Sequence, residues 1–255
     1  MSLIRAHLPC DDCGSRDALA EYEKNTYCFS CGVSKKKGNV KHFFARDTKP
    51  KVMGKVVLPK NTGQTMPSEA QKLLLKGGIT DDIALEYGIF HVANATLWTT
   101  QNKPIYVKNR LIFPCYSDNK DLVWYQARAV DKADQPKYYT VGNKDYLFKA
   151  GEDGDTVVIT EDMLSAIKVG HHTRAISLQG TSINKQNLVD ISQKYTNIIV
   201  WLDGDKPGLD AARKIIKQFQ LVASNVQQII TGRDPKCLTN GQIDEKIAKA
   251  LSLRE

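Results

Sequence analysis

The sequence predicts an α/β protein built around a parallel sheet, and a strand–turn–helix pattern that occurs twice is the main evidence. In the first copy, the segment 157–160 is β-branched and carries no charge, which is typical of a strand buried on both faces of a parallel sheet. Residues 163–169 follow with apolar side chains at helical spacing. The second copy consists of the apolar segment 198–202 and a helical pattern over 209–219. We therefore expect two βα units in one sheet.

The first segment of the chain, residues 1–44, is predicted to be a small zinc ribbon. Its four cysteines follow the spacing C-x₂-C-x₁₄-C-x₂-C, and two C-x₂-C pairs place four thiolates around one Zn²⁺ ion. Because the thiolates fill every coordination position, the ion would be structural, and so small a unit needs it to fold. Redox chemistry is the alternative role for these thiols. The predicted ligands are Cys10, Cys13, Cys28 and Cys31.

Residues 45–67 are predicted to be a basic, flexible linker. The 255-residue chain has a net charge of +8, and the segment 32–60 accounts for the whole excess, with nine Lys or Arg against one Asp. Its prolines and glycines favour a tether over a packed element. Such a segment either contacts nucleic-acid phosphates or is a solvated linker, and the composition leaves both interpretations open.

Residues 68–152 are predicted to form an α+β subdomain that flanks the parallel sheet of residues 153–255. Ser68 with Gln71 three positions later is typical of a capping box, so a helix is expected to begin there. A second helix is expected after Thr80, where two Asp residues follow in the first turn. Short strands are predicted over residues 89–92, 105–107, 111–114 and 122–130.

Acidic residues occupy both turns of the repeated pattern. Glu161 follows the first strand, and Asp203 and Asp205 follow the second. Ligands of an open α/β sheet bind at the carboxyl ends of its strands, so we expect these carboxylates to converge there. Clustered carboxylates repel one another unless a hard cation such as Mg²⁺ neutralises them. The alternative for each Asp is a helix N-cap, the commonest fate of an Asp after a strand.

The motifs around these turns resemble the Toprim domain of DnaG-type primases. Glu161 after an apolar strand, the segment SLQGTS at 177–182 and the segment DGDKPGLDAA at 203–212 have the order and spacing of that family. The segment DPKCL at 234–238 resembles the family's D-P-D motif. The segments RLIFP at 110–114 and PKY at 136–138 resemble its basic motifs.

This resemblance implies a DNA primase that makes short RNA primers from ribonucleoside triphosphates on single-stranded DNA. It implies a catalytic Mg²⁺ or Mn²⁺ ion in addition to the structural Zn²⁺. The similarity extends to phage primase-helicases, which implies a replicative helicase as a partner, either separate or as a continuation of the polypeptide. The catalytic residues implied are Glu161, Asp203 and Asp205, with Asp234 as a further metal ligand. The candidates for nucleotide or template binding are Arg110, Arg128, Lys137 and Lys149.

Three positions depart from the family pattern. Asp162 replaces the usual Gly, Ser165 replaces an acid, and Lys236 replaces the second Asp of D-P-D. Each change removes or moves a possible metal ligand, which leaves the number of metal ions open. Two other functions therefore compete with the primase hypothesis. They are a Toprim nuclease with a zinc ribbon and a non-catalytic module that binds single-stranded DNA or loads a helicase.

The sequence contains neither a long apolar segment nor a signal peptide. No stretch approaches the roughly 18 consecutive apolar residues that a membrane-spanning helix needs, and residues 1–8 lack the apolar core of a signal peptide. We therefore expect a cytoplasmic protein without a membrane partner.

Overall fold

A computed structural model describes residues 3–12, 15, 18–23, 25–31, 33–36, 55–60, 65–101 and 103–252. The chain divides into two compact units, Met1–Val52 and Met53–Glu255. The predicted zinc ligand Cys13 and most of the predicted linker lie outside the described residues. No helix within the described ranges combines the length and the apolar character needed to cross a membrane.

The first unit contains a four-stranded antiparallel sheet in the order β1-β2-β3-β4. Its turns bring cysteines together, because Cys10 follows the first strand and Cys28 ends the third. Both side chains are buried. The strands are β1 (Leu3–Leu8), β2 (Leu19–Tyr22), β3 (Asn25–Cys28) and β4 (Ser34–Lys36).

The second unit begins with two helices and a four-stranded antiparallel sheet, in agreement with the predicted flanking α+β subdomain. Two of the predicted short strands are parts of one 13-residue strand, which crosses the polar residues between them. The helices are α1 (Ser68–Lys76) and α2 (Asp81–Glu86). The strands are β5 (Phe90–Trp98), β6 (Pro104–Tyr116), β7 (Leu122–Ala129) and β8 (Tyr138–Gly142).

A five-stranded sheet in the order β13-β12-β10-β11-β9 forms the core that the repeated pattern predicts. Its neighbouring strands are parallel except at the edge, where β9 runs antiparallel to β11. The strands are β9 (Phe148–Ala150), β10 (Thr156–Thr160), β11 (Arg174–Ser177), β12 (Asn197–Val200) and β13 (Val226–Gln228). The helices are α3 (Met163–Gly170), α4 (Lys185–Lys194), α5 (Lys206–Phe219) and α6 (Asn240–Ser252).

Helices cover both faces of this sheet, which explains the uninterrupted apolar character of β10 and β12. Side chains alternate between the faces of a strand, so Val158 packs in one core cluster with Ile167 of α3. The adjacent Val157 and Ile159 pack in another cluster with Ile215 of α5. Neither face of the central strands meets water, and each face therefore selects apolar residues.

Helix α1 begins at Ser68, as predicted, but the predicted capping box does not form, because the Gln71 amide donates to the Pro67 carbonyl oxygen. Pro67 is the residue that precedes the helix and it makes no side-chain cap, while Ser68 is already helical. The fixed φ of Pro67 (−62°) with an extended ψ (151°) makes Pro67 the N-cap residue, so Ser68 is the first helical residue and does not act as the cap. At α2 the prediction is confirmed, because the Thr80 side chain accepts a hydrogen bond from the Ile83 amide.

Candidate active site

The turn after β10 uses its two acidic residues differently. Asp162 caps α3, and its Oδ1 accepts a hydrogen bond of 2.8 Å from the Ser165 amide. Burial works against the ionised form of Asp162, but Lys236 and Ser165 outweigh it and lower the pKa of Asp162. Glu161 takes no part in capping, and its Oε2 is buried without a hydrogen-bond partner among the described residues.

The turn after β12 repeats this division. Asp205 caps α5 and accepts a hydrogen bond of 2.8 Å from the Gly208 amide. Asp203 does not cap the helix, and its Oδ1 is buried without a hydrogen-bond partner in the described part of the chain. The N-cap alternative is therefore correct for Asp205, and it also applies to Asp162, whereas it does not account for Glu161 or Asp203.

Two glycines allow the second turn to close. A Cβ on Gly204 would lie 2.2 Å from the Thr231 carbonyl oxygen, and one on Gly208 would lie 2.3 Å from the Asp203 carbonyl oxygen. Real Cβ atoms do not approach backbone that closely, so both positions require Gly. The glycines of the DGDKPGLDAA segment thus hold Asp203 close to the first turn of α5.

The two uncapped acids share an environment that favours their protonated forms. Burial raises the pKa of Glu161, and the charges of Asp205 and Asp162 add to this effect, while a hydrogen bond from the Asp203 backbone opposes it. Burial raises the pKa of Asp203 to about 7, and Lys236 opposes this shift. A bound cation would reverse the energetic cost of ionising both groups.

Lys236 is the cation that this site already contains. Its Nζ lies 2.7 Å from Asp162 Oδ2, 2.7 Å from Asp234 Oδ2 and 3.5 Å from Asp203 Oδ2. Burial alone would lower the pKa of Lys236, but the carboxylates reverse that effect and raise it above the usual value. Asp234, a predicted metal ligand, is therefore an ion-pair partner of Lys236 in this structure.

The uncapped acids fit a single hard divalent cation. Within the described ranges, no set of three carboxylates has oxygens that all lie within 4.8 Å of one another. Mg²⁺ does not need such a cage, because it is commonly held by about one or two carboxylates together with water and phosphate oxygens. The unpartnered oxygens of Glu161 and Asp203 supply donors of that kind.

The segment after β11 connects the first acidic turn to the flanking sheet. Ser177 Oγ and the Gly180 amide both donate to the Glu161 carbonyl oxygen, at 3.2 and 3.1 Å. Gln179 has a positive φ of 54°, and its side chain donates to Ser177 Oγ at 2.7 Å. Gln126 of β7 donates to Gln179 Oε1 at 3.1 Å. A short hydrogen-bonded chain thus links β7 to the backbone of Glu161.

Three of the four predicted nucleotide- or template-binding residues gather around β8. Arg110 is buried, and it donates to the Pro136 carbonyl oxygen at 2.6 Å beside the ring of Tyr139. Arg128 and Lys137 lie 5.7 and 5.1 Å from the ring centre of Tyr138. Because these contacts bury its side chain, Arg110 is suited to supporting the surface on which Arg128 and Lys137 lie.

Lys149, the fourth predicted basic residue, lies elsewhere. Its Nζ pairs with Asp118 at 3.0 Å and contacts Tyr146 Oη at 3.3 Å. The structure therefore does not bring Lys149 into the group around β8.

The cysteines of the first unit form a compact thiol group. The sulfur atoms of Cys10, Cys28 and Cys31 all lie within 4.8 Å of one another. The Cys31 backbone lowers the pKa of the Cys28 thiol to about 7, while burial opposes this shift. Thiolates are the form that binds Zn²⁺, so the group suits the predicted metal.

Comparison with known proteins agrees with this geometry. A family model described as Toprim-like matches residues 159–237, a range that contains Glu161, Asp203 and Lys236. These residues form a Toprim-like domain. A DNA primase of Listeria monocytogenes is 27% identical to the chain over 147 residues, which cover 50% of this chain and 23% of that protein. The chain thus spans about a quarter of that relative's length.

Solved primase structures share the fold around the Toprim-like domain. The zinc-binding and RNA polymerase domains of the Aquifex aeolicus primase align with a TM-score of 0.60 at 14% identity, over 73% of this chain and 56% of that one. A DnaG primase catalytic domain bound to single-stranded DNA aligns with a TM-score of 0.58 at 16% identity, over 74% and 73%. The predicted resemblance to DnaG-type primases is confirmed.

The role of Lys236 in the Toprim-like domain is the feature that the sequence did not reveal. In the family motif this position usually carries a carboxylate, so the Lys predicts the loss of a metal ligand. The motif does not predict that the Lys236 ammonium group would contact three neighbouring carboxylates. For Asp162 a signal existed, because an Asp directly before an apolar helical segment is typical of an N-cap. For Gln126 and Gln179 there was none, because 53 residues separate them.

Proposed function

We propose that the chain is the catalytic part of a DNA primase that joins ribonucleoside triphosphates into short RNA primers on single-stranded DNA. The observation that carries the proposal is a pair of buried oxygens, Glu161 Oε2 and Asp203 Oδ1, that have no hydrogen-bond partner among the described residues. They lie on adjacent turns at the carboxyl edge of the Toprim-like domain, where ligands of such sheets bind. Buried polar atoms are normally satisfied, so two exceptions at one edge favour a ligand site.

In this proposal a 3′-hydroxyl attacks the α-phosphorus of the incoming nucleotide and pyrophosphate leaves. Glu161 and Asp203 would hold Mg²⁺ or Mn²⁺, which supplies neutralisation of phosphate charge when bound. Asp205 caps α5 with Oδ1, and its other oxygen, with a charge that acts on Glu161, would be a further ligand of the ion. Gly180 and Ser177 fix the backbone of Glu161.

The basic residues around β8 are the proposed contacts for nucleotide or template phosphates. Arg128 and Lys137 carry charge next to the ring of Tyr138, and such a group can bind phosphate and stack on bases. The hydrogen bond from Gln126 to Gln179 joins β7, the strand that carries Arg128, to the Glu161 turn. A Zn²⁺ ion held by the thiol group of the first unit, a cytoplasmic location and a replicative helicase as partner belong to the same proposal.

The test is RNA synthesis from four ribonucleotides on single-stranded DNA of mixed sequence with Mg²⁺ or Mn²⁺. Asp205→Asn removes a negative charge but retains the ability to cap α5, because Asn and Asp are equally good N-caps. We expect a fall in rate on the order of a thousandfold, since charge neutralisation by metal supplies several kcal/mol in such reactions.

The matched control is Asp210→Asn on the same helix, where an exposed carboxylate pairs with Arg213 at 3.0 Å. The control is expected to synthesise RNA at the wild-type rate. Equal synthesis by wild type and Asp205→Asn would refute the proposed function.

A non-catalytic module that binds single-stranded DNA is the second candidate. The observation that favours it is the contact of Lys236 with Asp162, Asp203 and Asp234, which occupies acids that a metal would otherwise use. The two candidates can be distinguished when the template DNA of that assay is labelled and run on a native gel. A non-catalytic module would retard the DNA in the gel without making RNA. A nuclease, the third possibility raised by the sequence, would shorten the labelled DNA.

A further inference from the structure

We infer that the ammonium group of Lys236 stands in for one divalent cation, so that the carboxyl edge of the Toprim-like domain takes a single metal ion. The inference rests on the proposed function and deepens it, because it states how many ions this site binds. It assigns the acids to two groups. Asp162 and Asp234 belong to Lys236, Glu161 belongs to the metal, and Asp203 lies between them.

The contacts of Lys236 resemble the coordination of an ion. Its Nζ is 2.7 Å from one oxygen of Asp162 and 2.7 Å from one oxygen of Asp234, with Asp203 Oδ2 at 3.5 Å. The oxygens come from three separate turns of the chain, as those of a metal site do. A divalent ion placed among the same oxygens would lie within about 2.0–2.6 Å of them, where the ammonium group already is.

Lys236 is built into this position. Its side chain is only 17% exposed, and it extends from the short 3₁₀ helix Pro235–Cys237, whose Pro235 is buried. Asp162 is held in turn, because its other oxygen caps α3 through the Ser165 amide. A surface lysine that swings away to admit a metal would have neither constraint.

Asp203 marks the boundary between the two cations. Its Oδ2 faces Lys236, whereas its Oδ1 is buried without a hydrogen-bond partner among the described residues. Glu161 Oε2 is in the same unpartnered state. The ammonium therefore satisfies one side of Asp203, and one metal ion suffices for the two oxygens that remain.

The experiment counts bound Mn²⁺ in the zinc-loaded full chain, without nucleotide or DNA, from the electron paramagnetic resonance signal of the unbound ion. We expect about one Mn²⁺ per chain for the wild type. In Lys236→Ala three carboxylates lose their cation, and the count is expected to rise to about two. Lys236→Arg keeps the charge and is expected to stay at about one.

Lys194→Ala is the matched control, because Lys194 also pairs with a carboxylate, Asp153, at 3.0 Å, but at the opposite end of the sheet. Its count is expected to equal that of the wild type. If Lys236 only stabilised the fold, Lys236→Ala would lower stability without adding an ion. Circular dichroism of each variant therefore accompanies the count, to show that the variant is folded.

The outcomes separate this inference from the proposed function. Two ions in the wild type, or an unchanged count in folded Lys236→Ala, would overturn the inference while leaving primase activity possible. No bound Mn²⁺ in the wild type would overturn the inference, and the separate RNA synthesis assay would then decide the proposed function. RNA synthesis does not enter the measurement, so an inactive preparation does not change its result.

Discussion

The carboxylates at the two ends of the parallel sheet differ in their hydrogen bonding and in the direction of their pKa shifts. At the amino end, just before β10, Asp153 accepts hydrogen bonds from Arg174 at 2.7 Å, Lys194 at 3.0 Å and Tyr195 at 3.0 Å. Burial would raise the pKa of Asp153, but these three donors lower it to about 2. At the carboxyl end, Glu161 and Asp203 each have an oxygen without a partner in the described part of the chain, and the pKa of each is raised.

The difference shows which end is built for stability and which for a ligand. Asp153 joins residues next to β10, β11 and β12, so its ion pairs fasten the amino ends of three strands. Asp203 and Glu161 instead carry a free-energy cost in the protein alone, which a cation would remove. Strain of this kind at functional sites is offset by the stability of the surrounding fold.

The largest expected effect is on catalysis, and it compares one carboxylate from each end of the sheet. Asp203→Asn should lower RNA synthesis on the order of a thousandfold, because the metal loses an anionic ligand. Asp153→Asn removes a carboxylate from the other end and should leave the rate near that of the wild type. The two rates are measured side by side on one template. Loss of activity in both variants would mean that the two ends are not functionally distinct.

The sequence allowed the acidic edge to be predicted, and the reason is local. A strand, an acidic turn and a helix are contiguous in sequence, so Glu161, Asp203 and Asp205 could be placed at strand ends from periodicity alone. The predicted fold class is confirmed for the same reason, since each βα unit is a short continuous segment, Thr156–Gly170 for the first and Asn197–Phe219 for the second. The role of each acid within its turn depends on whether its carboxylate accepts a hydrogen bond from a helix amide, and the periodicity of the sequence does not predict that.

Long-range contacts account for what was missed. Lys236 meets Asp162 across 74 residues of sequence, and the position of the 3₁₀ helix that carries it depends on tertiary packing. The short strands β11 and β13, of four and three residues, were not predicted, because so few residues give little periodic signal.

A smaller effect, on the free energy of unfolding, tests the capping role of Asp205. Asp205→Ala removes the cap of α5 and should lower the free energy of unfolding by about 1 kcal/mol, whereas Asp205→Asn should leave it nearly unchanged. Urea unfolding followed by tryptophan fluorescence measures the change, since Trp98, Trp124 and Trp201 all lie in the second unit. Equal stabilities for the Ala and Asn variants would contradict the capping role of Asp205.

The last expected effect is a pair of opposite pH dependences of stability. Asp153 has a pKa of about 2 in the folded protein and about 3.9 in an unfolded chain. Its contribution is therefore full above about pH 4 and lost as the pH falls towards about 2. Because its side chain is 51% exposed, Asp153→Asn should cost no more than about 1 kcal/mol at neutral pH, and the cost should shrink below about pH 4.

The sign reverses for Asp203, whose pKa is raised to about 7 in the folded protein. The folded state then holds the extra proton between about pH 4 and pH 7, so ionisation costs stability as the pH rises through that range. Asp203→Asn should accordingly be more stable than the wild type above about pH 7 and equal to it near about pH 4. Metal-free urea titrations of both variants at several pH values measure the two slopes. Slopes of the same sign would contradict the division between the two ends of the sheet.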